Sequence, residues 1–68
     1  MLTPKIDRSA FIAKGAVVLG DVTIEKDCSI WYNATVRSTE SYIKIGEGSN
    51  VQDNAVVHVA HDHPTLIG

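Results

Sequence analysis

A chain of 68 residues makes one small domain, and at that size only about 60% of the surface exposed by the unfolded chain is buried, so a metal, a partner or a cap has to help. Cys28 is the single cysteine, which excludes an internal disulfide, and a net charge of −2 with 21% charged residues offers nucleic acid no basic field. No apolar run approaches the ~20 residues of a membrane helix, no charged-then-apolar leader opens the chain, and 44% hydrophobic residues exclude a disordered polymer.

These limits leave a soluble, cytoplasmic, β-rich chain with neither nucleic acid nor membrane among its expected partners. Val and Ile fill 15 positions against three Leu, and five Thr join them. Such β-branched side chains suit a pleated surface better than a helix. Apolar residues nowhere recur at helical spacing over a useful window. The glycines are scattered as punctuation.

In chain order, the aliphatic residues Ile6, Ile12, Val18, Ile24, Ile30 and Val36 recur every six positions. Four residues beyond each stand Ala10, Ala16, Val22, Cys28, Ala34 and then Glu40. After a three-residue offset near Thr39–Tyr42 the register resumes at Ile45, Val51 and Val57, followed at four positions by Ser49, Ala55 and His61. A further four-residue offset near Ala60–Pro64 brings Ile67. A fixed internal period is the mark of a repeat architecture.

Each hexad predicts one short strand and one corner, and three hexads predict a triangular coil of 18 residues. The aliphatic residue points inward and stacks on its equivalents in the neighbouring coils. The small residue sits near a corner, where a large side chain would not fit. Strands then pair in parallel from coil to coil. About three coils are expected, with the offsets extruded as loops, and Val57 is expected beneath Ile67. The whole of 1–68 reads as a single solenoid domain. An antiparallel barrel or sandwich would show period-two alternation and hairpin dipeptides, and neither is present.

The segment Thr35-Val36-Arg37-Ser38-Thr39-Glu40, with Ile45-Gly46-Glu47-Gly48-Ser49-Asn50-Val51-Gln52-Asp53-Asn54-Ala55-Val56-Val57-His58-Val59, resembles the γ-class carbonic anhydrase family. That family belongs to the hexapeptide-repeat proteins, so the resemblance implies a left-handed parallel β-helix. It covers essentially the whole chain but only the N-terminal part of the usual family domain. It also implies a homotrimer with a zinc ion, in some members iron or cobalt, between subunits, acting on carbon dioxide and bicarbonate.

By the same resemblance, His58 matches a metal-ligand histidine, and Arg37 and Asp53 match a pair that links neighbouring subunits. Gln52 matches the residue that orients the attacking hydroxide, and Glu40 stands where some members carry an acidic residue near the metal. The Asp usual two positions after Arg37 is Thr39 here, which weakens the network expected around Arg37. Two further ligand histidines of the family lie on a later coil that 1–68 does not contain. One histidine does not make a catalytic zinc centre, which needs three protein ligands and an open position. The isolated chain is therefore expected to be inactive.

His58, His61 and His63 lie within one stretch, His-Val-Ala-His-Asp-His. On an extended strand His58 and His61 point to opposite faces, so His61 and His63 read as solvated loop residues. Cys28 falls in the small-residue register and reads as a packed corner side chain. Trp31 and Tyr32 follow Ile30, and one of them points outward as a candidate subunit contact. Two other classes of function compete with a carbonic anhydrase-like lyase. The hexads suit an acyltransferase that uses coenzyme A, and the unpaired edges of a solenoid suit a non-catalytic, self-assembling piece.

Overall fold

The structure, a computed structural model, describes residues 3–58 and 65–68, and of Glu40 the backbone alone. Eight strands follow one another, β1 Lys5–Ile6, β2 Phe11–Ile12, β3 Val17–Ile24, β4 Ser29–Ile30, β5 Thr35–Ile45, β6 Asn50–Val51, β7 Val56–His58 and β8 Thr65–Ile67. No helix occurs among the described residues. Every ladder is parallel.

The strands form the three walls of a prism. One wall stacks β1, the end of β3, the end of β5 and β8, through Ile6, Ile24, Ile45 and Ile67. The second wall is β2-β4-β6. The third stacks the start of β3, the start of β5 and β7, through Val18, Val36 and Val57. The first step between coils is 18 residues, as in Lys5 to Thr23 and Phe11 to Ser29. Later steps lengthen to 21, as in Ser29 to Asn50, and to 22, as in Ile43 to Thr65. The first lengthening is the offset read near Thr39–Tyr42, and the second offset, read near Ala60–Pro64, falls outside the described residues.

The inward register behaves as the period requires. Ile24, Ile30, Val36, Ile45 and Val51 are buried, with Ile12, Val18, Val57 and Ile67 packed against them half-exposed. Ile6, in the outermost coil, is 42% exposed because only one coil covers it. Two details differ from the sequence reading. The residues added near Thr39–Tyr42 lie within strand β5, between Ser38 and Ile43, and are not a loop extruded from the strands as the sequence predicts. Val57 stacks on Val36 and Ile67 on Ile45, so these two belong to different walls and not to one column.

The corners explain the small residues. At Ala13–Ala16, Trp31–Ala34, Gly46–Ser49 and Gln52–Ala55, the last amide of the turn donates to the first carbonyl at 3.1–3.2 Å. The third residues, Gly15, Asn33, Gly48 and Asn54, have φ between 59° and 82°. A type II turn needs a residue there that tolerates positive φ, which favours Gly and Asn. At Asp7–Ala10 the Asp7 carboxylate also accepts from the Ser9 amide (2.9 Å) and hydroxyl (2.8 Å). These bonds hold its pKa below the ordinary 3.8, the backbone amide of Ser9 being the larger cause. Cys28 is a buried corner residue whose thiol donates to the Gly46 carbonyl in the next coil.

Candidate functional site

The third wall carries Arg37 and His58, two of the residues singled out in the sequence. On a strand, residues flanking an inward one point outward. Val18, Val36 and Val57 face the core, so two outer columns result, Val17-Thr35-Val56 and Leu19-Arg37-His58. Register thus sets Arg37 directly opposite His58 on adjacent coils. Both side chains are exposed. Around them Val17, Leu19 and Val56 are 40%, 45% and 68% exposed, so an apolar surface surrounds one guanidinium and one imidazole.

Gln52 and Asp53 open the Gln52–Ala55 turn, which delivers the chain from the second wall to β7. Both are exposed. The Gln52 amide donates to Asn50 Oδ1 at 2.6 Å and so stays with its own wall. Arg37 and Asp53 form no ion pair; the ion pair among the described residues is Lys26–Glu47, at 3.8 Å with both side chains about 60% exposed. Glu40 is the middle residue of β5, three positions beyond Arg37, and its side chain is outside the described part. His61 and His63 also fall outside the described residues.

Three features escaped the sequence reading. Ser38 is buried at 1% exposure, and its hydroxyl donates to the Ser41 carbonyl at 2.6 Å. Gly20, with φ of +83°, packs its α-carbon against the Ser38 carbonyl so closely that a Cβ there would overlap it. Their signal was the place of Ser38 at the start of the three-residue offset. Phe11 joins Trp31 and Tyr32 in a ring cluster on the second wall, with centroids 5.0 and 6.2 Å apart. Of the two aromatics noted in the sequence, Tyr32 is the more exposed, at 49%. The Trp31 indole N–H donates to the Ser29 hydroxyl.

The repeat and the prism define the class. Residues 3–38 match the family model described as bacterial transferase hexapeptide (six repeats), and the chain belongs to the hexapeptide-repeat family. Within it, the chain is similar to carbonic anhydrases of the γ kind. It is 44% identical over 71 residues to the mitochondrial gamma carbonic anhydrase 1 of Arabidopsis thaliana, covering 96% of this chain and 26% of that protein. It is 51% identical over 63 residues to a probable carbonic anhydrase of Methanocaldococcus jannaschii, covering 93% of this chain and 40% of that one. With the carbonic anhydrase of Geobacillus kaustophilus the identity is 40% over 65 residues, with 96% and 36% covered. The chain thus spans between about a quarter and two-fifths of the length of these curated relatives.

The donor set can be tested against a metal. Among the described residues no three His, Cys, Asp or Glu side chains converge as a metal site would require. His58 offers one exposed imidazole, and the nearest partner across the ladder is a cation, Arg37, which coordinates nothing. The described residues therefore do not make a metal centre by themselves.

Proposed function

We propose that this chain forms part of a carbonic anhydrase-like protein that interconverts carbon dioxide and bicarbonate. The observation that carries the reading is identity of 40–51% to proteins named as carbonic anhydrases across more than nine-tenths of the chain. In this reading His58 is one donor to a zinc, iron or cobalt ion whose remaining donors lie outside the described residues. Gln52 orients the attacking oxygen, and Glu40 accepts a proton. Arg37 and Asp53, unpaired with each other in one chain, join neighbouring copies in a trimer. Arg suits that role because its planar fork takes a carboxylate in two parallel bonds. The exposed Val17, Leu19 and Val56 supply the apolar part of the same contact.

The test is carbon dioxide hydration and metal content of the native protein and its His58→Ala variant. Hydration above the buffer rate, lost at least about a hundredfold together with bound metal in His58→Ala, is the expected result. Metal-loaded protein whose hydration is indifferent to His58→Ala overturns the reading. Residues 1–68 alone are expected to give no hydration, since a catalytic centre needs three protein ligands.

A second reading, acyl transfer, is favoured by the transferase description of the matching family model. Coenzyme A raising the melting temperature of the native protein, with no hydration activity, would select it.

A further inference from the structure

We propose that Ser38 is a positioning residue, whose buried hydroxyl clamps the three-residue bulge of β5 and fixes the backbone path of residues 39–42 just beyond the Arg37–His58 wall. The proposal rests on the carbonic anhydrase-like reading for the step it serves, but its geometry stands alone.

The bulge is a matter of register. Gly20 pairs with Ser38, and Val22 pairs with Ile43, so β5 spends three more residues than β3 in turning the same corner. Extra residues at a corner add conformations to the chain, and something must select one of them. Ser38 is caught from two sides. Below it, Gly20 allows an approach to the Ser38 carbonyl that any side chain would block. Above it, its hydroxyl donates at 2.6 Å to the carbonyl of Ser41, inside the bulge. Ser38 is also the one buried polar residue among those described. A hydroxyl in that position without a partner would be unfavourable by the full desolvation of the group.

The place of the clamp gives it a function. Ser38 directly follows Arg37, and Arg37 faces His58 across the ladder. The backbone that leaves this wall runs straight into Thr39 and Glu40. A group that handles a proton must be held within hydrogen-bond reach of its partner. If residue 40 plays that part, the Ser38–Ser41 bond decides how much of the time it is presented.

Hydrogen exchange of the native protein, with Ser38→Ala and Ser38→Thr, tests the clamp alongside carbon dioxide hydration. In Ser38→Ala, amide exchange at 39–42 should rise roughly threefold to tenfold, the weight of one net hydrogen bond, while exchange at Val36 and Ile45 stays unchanged. The value of kcat should fall by a similar factor with kcat/KM retained, because a proton carrier acts after carbon dioxide has been converted. Ser38→Thr keeps the donor and should restore both. Should the extra methyl unfold the strand, Ser38→Cys, a weak donor of near-equal size, should fall between wild type and Ser38→Ala. Unchanged exchange at 39–42 in Ser38→Ala overturns the clamp. Faster exchange with unaltered kcat overturns the positioning role. A native protein that hydrates no carbon dioxide removes the carbonic anhydrase-like reading, and the exchange pattern with its rescue by Thr then decides the clamp by itself.

Discussion

Positive φ recurs at six of the described corner residues, but the environments differ. Asp27, Asn33 and Asn54 sit near φ 60°, a region their short polar side chains tolerate. Gly48, at φ +79°, has nothing within 4 Å of where a Cβ would stand, whereas the same atom on Gly20 would run into the Ser38 backbone. Gly48→Ala should therefore lose only the conformational term, about 1–2 kcal/mol, and Gly48→Asn less. Gly20→Ala carries that term plus a backbone collision and should destabilise by more than Gly48→Ala. Urea unfolding of the three variants measures this. Equal losses for the two alanine variants would mean that Gly20 is not pressed against the next coil.

Single strands here are two or three residues long on some walls and would not persist alone. They persist because inward aliphatics stack from coil to coil, those of the inner coils being covered on both sides. Ile30 is wholly buried between Ile12 and Val51, while Ile12 has a neighbour on one side and remains half-exposed. Ile30→Ala should lower unfolding stability by about 2–5 kcal/mol. Ile12→Ala should lose clearly less, since less area returns to water. A chemical denaturation series reads the difference, and an inverted order would contradict the stacking of coils. The loss at Ile30 is large against the ~5–15 kcal/mol that holds a small domain together.

For the molecule as a whole, the prism extends 27 Å by 20 Å by 20 Å, and among the described residues the strands pair between neighbouring coils. One wall presents Val17, Leu19 and Val56 around Arg37 and His58. If that wall joins copies of the chain, Leu19→Asp places a carboxylate in an apolar contact, where an unpaired charge is strongly unfavourable. The native protein should then sediment as a trimer and the variant as single copies, with the far-ultraviolet spectrum unchanged. A variant that keeps the wild-type mass would place the contact elsewhere.

The period of six, the β-branched inward positions and the small residues at the corners were legible from residue order alone. Burial and turn geometry act over a few neighbouring residues, so they leave a local trace at Ile24, Ile30, Ala34 and Val36. The residue types of the candidate site were legible only through family resemblance, because one Arg, one Gln and one His carry no spacing rule of their own. Which residue stands over which was decided by tertiary structure. Stacking depends on the length of the coil between, and that length changes from 18 to 21 to 22 residues. The residues added near Thr39–Tyr42 therefore became part of β5, Val57 and Ile67 parted to different walls, and Arg37 came to face His58.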